Sequence, residues 1–107
     1  MPPDILSLAL QYIRRGHSNG WPLARDNYGE ACDPRALDAS SWSVQGALMR
    51  ASFDLDLQGM LPSVREVVVD ILYADGISLV WAEMNPRFTT DAAEKALNQA
   101  FMHYITK

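Results

Sequence analysis

The stretch 62–72, PSVREVVVDIL, decides between a helical and a mixed fold. Valine and isoleucine favour strands, but the apolar residues here recur at the i, i+3, i+4, i+7, i+8 spacing of one helical face. These positions are Val64, Val67, Val68, Ile71 and Leu72. A strand would instead put Glu66 and Asp70 on the same face as apolar side chains. The spacing therefore predicts a helix that Pro62 begins and Asp75-Gly76 ends.

Two more helices are predicted downstream of this stretch. The first is short, and its apolar stripe consists of Ile77, Val80, Trp81 and Met84. Asp75 or Ser78 caps it, and Asn85-Pro86 ends it because the residue before proline avoids the helical region. The last helix has three candidate caps, Thr89, Thr90 and Asp91. Its apolar face consists of Ala93, Ala96, Leu97, Ala100, Phe101, Tyr104 and Ile105.

Two helices are predicted upstream. Apolar residues at three- and four-residue steps indicate a first helix over residues 4–15, capped by Asp4 and ended by a left-handed Gly16. A second helix begins at a serine cap, Ser40 or Ser41. Inside it, Gly46 indicates a close approach of two helices.

Residues 17–40, between these two helices, show no sustained period and contain glycine, proline and asparagine clusters. Such clusters mark turns, and loops of this length in compact domains are often functional. Asp33–Leu37 is predicted to form a single helical turn inside the loop. The acidic segment after the second helix is predicted to be an ordered linker.

The chain is therefore predicted to be all-α: one domain over residues 1–107, a compact bundle of about five helices with one long ordered loop after the first helix. Its 107 residues are 49% hydrophobic, which excludes a disordered tail and leaves room for one core. The net charge of −4 and the single cysteine argue against a nucleic-acid partner and a disulfide framework. No membrane-spanning run or secretory leader is recognised, so a cytoplasmic location is expected.

Motifs for metal binding and catalysis are weak. Asp54–Gly59 matches the first half of a calcium loop, but Arg65 stands where the bidentate glutamate is needed. Cys32, His17 and His103 lack the paired spacing of a zinc site, and a nucleophile pair among them would require a distant contact. No cofactor, no metal and no catalytic residue are therefore predicted.

The candidate ligand-binding residues lie in two places. Trp21 lies in the long loop near His17, and a tryptophan outside the core is typical of a pocket or an interface. Glu83, Asn85 and Arg87 follow Trp81 before the last helix. They are typical of capping and a local salt bridge or, as the functional alternative, of an anion-binding corner in which the Arg87 guanidinium adjoins helix amides. The candidate site is therefore His17, Trp21, Trp81, Asn85 and Arg87.

Several short motifs occur in a characteristic order: Gly20-Trp21, Asp33-Pro34, the run Trp42–Leu48 and the run Trp81–Thr89. In this order the chain resembles a small bacterial and phage family, the domain of unknown function six-one-nine-seven, over nearly its whole length. That family often has cysteine where Ser43 stands and Asn-Asp where Ala82-Glu83 stand. The resemblance implies a helical domain and no particular activity.

The leading functional hypothesis is a non-enzymatic protein-interaction module, because no catalytic constellation is present. The alternative is a small-molecule or anion-binding domain, with or without weak enzymatic activity, whose site joins the 17–40 loop to the Trp81–Arg87 corner. A third hypothesis, a DNA mimic, needs dense negative charge on one face, whereas the 13 acids are offset by nine bases. Oligomeric state is not predicted.

Overall fold

A computed structural model describes residues 1–18 and 22–106. Over these residues the chain is mostly helical, as predicted, with five α-helices and one two-stranded sheet. The elements are α1 (Pro2–Arg15), β1 (Ala24–Asp26), β2 (Ala39–Trp42), α2 (Val44–Asp54), α3 (Leu61–Ala74), α4 (Leu79–Met84) and α5 (Thr90–Ile105). A 3₁₀ turn, Gln58–Met60, precedes α3. The all-α prediction is wrong in one respect, since the 17–40 loop contains β1 and the start of β2.

The predicted stripe of α3 is confirmed. Val64, Val68 and Leu72 are buried, while the flanking apolar positions are half-buried against the core. Pro62 lies in the first turn, where its missing amide hydrogen costs no helical bond. Gly76 has φ 76° just after the helix, a conformation that suits glycine. Periodicity therefore outweighs β-propensity in this segment.

The core forms where α1 packs on α5 and on α2, with α3 also against α5. Helices α1 and α5 run antiparallel, because Arg14 near the end of α1 pairs with Glu94 in the first turns of α5 (Nε to Oε1, 3.0 Å). The inward face of α1 consists of Ile5, Leu6, Ala9, Tyr12 and Ile13. Burial of these apolar side chains is the main force that holds the helices together. No helix among the described residues is long and apolar enough to span a membrane.

Trp42, at the end of β2, has backbone partners on both sides. Ala24 of β1 lies opposite it in the antiparallel pair, and His17 lies beside it in a parallel bridge. On the parallel side, Trp42 N donates to Gly16 O (2.9 Å) and Ser18 N donates to Trp42 O (2.9 Å). The exit of α1 is therefore bonded directly to the sheet.

Gly16 ends α1 for a different reason from the one predicted. Its φ is −178°, which is extended backbone and not left-handed. A β-carbon here would lie 2.3 Å from Ser40 O, so only glycine allows β2 to approach this closely. The predicted Asp4 cap is also wrong: Met1 is the cap residue of α1, and Asp4 lies 3.6 Å from the N-terminal amine.

Helix α2 begins later than predicted. Ser40 and Ser41 belong to β2, and the cap is Ser43, whose hydroxyl accepts from Gly46 N (3.0 Å). Gly46 does mark a close approach, but the neighbour is a loop carbonyl and not a helix. A β-carbon at Gly46 would lie 2.0 Å from Leu23 O.

A cluster that we call the Trp42 clamp holds the loop against α1 and α2; its members are Tyr12, Pro34, Trp42, Arg50 and Asp54. The Tyr12 and Trp42 rings lie 4.7 Å apart, and Trp42 Nε1 donates to Pro34 O (3.0 Å). Arg50 donates to Pro34 O (3.2 Å) and Asp54 Oδ1 (3.1 Å), and the Tyr12 hydroxyl donates to Asp54. The Arg50 guanidinium also lies 5.1 Å from the centre of the Tyr12 ring, in cation–π range.

The loop segment that carries Pro34 is a hydrogen-bonded turn and not the predicted helical turn. Ala36 N donates to Asp33 O (2.9 Å), which closes a four-residue β-turn. Asp33 Oδ1 also accepts from Arg35 N (2.8 Å), so Asp33 caps the segment as expected. The Arg35 guanidinium bonds the same carboxylate and lowers the Asp33 pKa to about 2.

Helix α4 turns its larger apolar side chains towards solvent, whereas a surface helix usually turns them towards the core. Ser78 caps it as predicted, accepting from Trp81 N (3.1 Å). Its apolar side chains Val80, Trp81 and Met84 are exposed, whereas Ala82 and the acidic Glu83 are buried. The stripe that predicts the helix therefore faces solvent, and the inward face carries a carboxyl group.

Candidate functional site

Two of the predicted site residues meet around one buried ring. His17 lies edge-on to Phe88, with ring centres 6.1 Å apart, and Trp81 lies edge-on to the same ring at 6.4 Å. His17 Nδ1 also lies 3.1 Å from Thr90 Oγ1 at the start of α5. Burial lowers the pKa of His17, which favours the neutral imidazole. The start of the long loop and the Trp81 corner are thus neighbours, as the sequence suggested.

The other predicted residues take different positions. Asn85 Oδ1 accepts from Arg87 N (2.9 Å) and closes the turn between α4 and α5. Arg87 is exposed. Trp21 lies outside the described residues. The binding role of these five residues stays a prediction.

A buried pair, Ser43 and Glu83, lies between α2 and α4. Ser43 Oγ donates to Glu83 Oε1 at 2.6 Å while it accepts from Gly46 N as the cap of α2. Glu83 is only 4% exposed. A distance this short is typical of a hydroxyl that donates to an ionised carboxylate. The Glu83 carboxyl thus lies at the N-terminal end of α2, where the helix dipole favours negative charge.

Glu83 Oε2 is buried and has no hydrogen-bond partner among the described residues. Burial raises the pKa of Glu83, and the Ser43 hydroxyl and the amides of Val44 and Gln45 oppose this rise. The Gln45 side chain acts in the same direction, and burial has the larger effect on the pKa. An unpaired buried carboxyl oxygen costs free energy, so each such atom needs an explanation.

A cavity of about 260 Å³ adjoins this carboxyl group. Its lining residues are Gln45, Leu79, Val80, Glu83 and Met84. Three of them are apolar, and the polar groups come from α2 and α4. The Gln45 side chain is held by Arg65, a residue outside the cavity lining, because Gln45 Oε1 accepts a hydrogen bond from Arg65 Nη1 (3.2 Å). An apolar cavity with a few convergent polar groups is typical of a ligand site.

Beside this cavity lies an exposed apolar area that we call the α4 surface; it consists of Tyr73, Val80, Trp81 and Met84. Tyr73 is 76% exposed, Val80 69% and Trp81 41%. Tyr73 and Trp81 also line an open groove of about 750 Å³, whose floor includes Ile77. On α4, Met84 is about one turn from both Val80 and Trp81, so these exposed side chains adjoin one another, and Trp81 and Tyr73 share the groove.

Other candidate chemistry is weaker. Burial and three neighbouring aspartates raise the pKa of the Cys32 thiol, which disfavours a nucleophilic thiolate. Over residues 1–18 and 22–106 no group of three or more histidine, cysteine, aspartate or glutamate side chains is placed to hold a metal ion.

Sequence reasoning missed the Ser43–Glu83 pair. The sequence predicts Glu83 to belong to a capping or salt-bridging corner with Asn85 and Arg87, yet it turns inward and contacts Ser43. Nothing in the spacing of a serine and a glutamate 40 residues apart shows that they meet.

No family model and no curated protein matches the sequence, and no solved structure matches the fold. The resemblance to the domain of unknown function six-one-nine-seven therefore stays a prediction.

Proposed function

We propose that this chain is a non-enzymatic protein-interaction module and that the α4 surface is its docking site. The observation that carries the proposal is the outward-facing apolar side of α4, since Val80, Trp81 and Met84 are exposed whereas Glu83 is buried. Exposed contiguous apolar patches on small proteins mark interaction sites, and tryptophan, tyrosine and methionine are enriched in interfaces. Chemistry is assigned to no residue.

The charges around the α4 surface indicate the kind of partner. Between Arg65 and Arg87 the sequence contains four acids and no lysine or arginine. Three of these acids are exposed: Glu66, Asp70 and Asp75. An apolar area with acidic flanks complements an amphipathic helix whose polar face is basic. We therefore assign the partner segment to that class.

The experiment uses a synthetic helix of about 18 residues built from leucine and lysine, with leucine at helical spacing. Amide shifts of the isotope-labelled chain are followed as the peptide is added. We expect saturable shifts at the α4 surface. A peptide with glutamate in place of lysine is expected to bind at least about tenfold more weakly, because its charges face the exposed acids.

Variants localise the contact. Tyr73→Ser and Val80→Ser each remove an apolar anchor and are expected to weaken peptide binding by about tenfold. Leu37→Ser is the matched control, since Leu37 is almost fully exposed in the loop and distant in sequence from α4. Equal binding of both peptides, or equal weakening by Leu37→Ser, would contradict the proposal.

The alternative site between the 17–40 loop and the Trp81–Arg87 corner has less support. The Asn85 side chain already accepts the Arg87 amide, and the Thr89 hydroxyl already accepts Ala92 N (3.1 Å) at the start of α5. The amides of Arg87 and Ala92, which would donate to an anion, thus already donate within the protein. A bacterial or phage-related origin and a cytoplasmic location belong to the same proposal; the resemblance supports the first.

A further inference from the structure

We propose that the groove between the C-terminal end of α3 and the start of α4 binds the guanidinium group of an arginine on the docked segment, against the rings of Tyr73 and Trp81. The inference rests on the proposed docking at the α4 surface. It goes further, because it names one side chain that the partner has to supply.

The first argument is the pair of aromatic rings. Tyr73 and Trp81 both line the groove of about 750 Å³, and each has a large exposed surface. Two small residues, Gly76 and Ser78, also line it and leave room for a partner side chain. Trp81 lies edge-on to the buried Phe88, and this contact holds the indole in place. The face of an aromatic ring attracts a cation, and tryptophan does so most strongly.

The second argument is the end of α3 at this groove. The C-terminal end of a helix carries partial negative charge, and α3 has no basic residue in its last turn to offset it. Gly76 N and Ile77 N donate to carbonyls of that turn (2.9 Å each). The next two carbonyls, those of Ala74 and Asp75, accept no backbone hydrogen bond among the described residues. A guanidinium has five N–H donors and no acceptor, so it suits this helix end.

The third argument is the charge of the neighbouring side chains. Asp75 precedes Gly76 of the groove lining, and Asp70 lies one helical turn before Tyr73; both acids are exposed. Along the sequence, the nearest basic residues are Arg65 and Arg87. These acids therefore attract a cation to the groove and repel an anion.

The open shape of the groove favours arginine over lysine. A lysine ammonium is compact and strongly hydrated, whereas a guanidinium is planar, more weakly hydrated and stacks on aromatic faces. Because water reaches the groove, an ammonium keeps its hydration shell and gains less from the two rings. The groove therefore discriminates between two side chains of equal charge.

The experiment compares two helices of equal charge on the full chain: the leucine–lysine peptide and the same peptide with arginine at every lysine position. Amide shifts of the isotope-labelled chain give both affinities. We expect the arginine peptide to bind about fivefold more tightly, which corresponds to about 1 kcal/mol. Equal affinities would overturn this inference and leave the docking proposal intact. Failure of both peptides to bind would instead contradict docking, and with it an arginine supplied by docking.

Variants of Tyr73 test the role of the ring, and its 76% exposure makes the fold tolerant of them. Tyr73→Leu keeps an apolar side chain but removes the aromatic face, so the preference for the arginine peptide should fall below about twofold. Tyr73→Phe keeps the ring and should keep the preference.

Tyr28→Leu is the matched control. It makes the same substitution at a tyrosine of the loop that is 92% exposed, and it should leave the preference for the arginine peptide unchanged. An unchanged preference in Tyr73→Leu would overturn the inference. So would an equal loss of preference in Tyr28→Leu, because that result would show a nonspecific effect of exposed aromatic rings.

Three small probes with the same ethyl stem test the groove without a docked helix: ethylguanidinium, ethylammonium and ethylurea. The indole N–H of Trp81 and the amide of Ile77 report binding. Ethylurea has the planar shape without the charge, and ethylammonium has the charge without the plane, so ethylguanidinium should bind at least about fivefold more tightly than either. Equal affinities of the three probes would overturn the inference even if a helix docks. Selective binding of ethylguanidinium without binding of either helix would support the guanidinium site and contradict the docking proposal.

Discussion

Trp42 and Trp81 show two uses of the same side chain. Trp42 is 1% exposed, contacts the Tyr12 ring and donates its indole hydrogen to a loop carbonyl. Trp81 is 41% exposed and shares an open groove with Tyr73. The region around Trp42 has backbone and side-chain bonds in several directions, whereas the region around Trp81 has apolar area without a cover among the described residues.

This difference separates folding from binding within one small chain. Around Trp42, close backbone approaches and the half-buried Arg50 guanidinium leave little freedom for substitution. Around Trp81, the exposed residues contribute little to the core, because water still contacts them. Substitutions should therefore cost stability in the first region and affinity in the second.

The largest effect is expected at Gly46. Alanine normally stabilises a helix by about 1 kcal/mol relative to glycine. Here a β-carbon would lie 2.0 Å from Leu23 O, so the loop or the helix must move. We expect Gly46→Ala to lower the free energy of unfolding by about 3 kcal/mol, measured by urea denaturation.

Gly59→Ala is the control for this prediction. A β-carbon there meets nothing within 4 Å, so its effect should stay within about 0.5 kcal/mol. If Gly46→Ala were as stable as the wild type, the loop would not be packed against α2 in solution.

An intermediate effect is expected at Arg50 of the Trp42 clamp. Arg50→Met keeps most of the aliphatic stem but removes bonds to two loop carbonyls and to Asp54. We expect a loss of about 2 kcal/mol in the free energy of unfolding, since several hydrogen bonds from a charged donor are lost at once. Arg35→Met, which breaks an exposed pair with Asp33, should change stability much less. Similar losses in the free energy of unfolding of the two variants would contradict a special contribution of the Trp42 clamp to stability.

The smallest effect is expected on the α4 surface. Val80→Ser should change the free energy of unfolding by less than about 0.5 kcal/mol, because the side chain is already exposed. Val64→Ser makes the same substitution at a buried position of α3 and should cost about 2 kcal/mol. Equal costs, measured by thermal or urea unfolding, would place Val80 in the core and remove the docking surface.

Much of the helical architecture could be predicted from the sequence. In α3, α5 and the caps at Ser78 and Thr89, the local pattern and the final environment agree. The strands could not be predicted in this way. Ala24–Asp26 and Ala39–Trp42 are three and four residues long and show no alternation. Their pairing depends on the close approach of β2 to Gly16 and on backbone hydrogen bonds between residues distant in sequence.

The candidate site was less predictable than the fold. Periodicity identifies an apolar stripe on α4 but does not show which side of a short helix faces the core. The inward face of α4 carries the small Ala82 and Glu83, to which Ser43 donates. The sequence of α4 alone does not show this face, because Ser43 lies at the start of α2. The nearness of His17 to the Trp81 corner was predictable only as a hypothesis, since it depends on packing around Phe88.

The antiparallel packing of α1 against α5 has a consequence for how the chain folds during synthesis. The ribosome makes α1 before α5, so the part of α1 that packs on α5 stays uncovered until α5 has been made. Contacts of such long sequence separation slow folding, because a large loop must close before they form. We therefore expect the apolar face of α1 to stay open to contacts with other apolar surfaces until α5 packs on it.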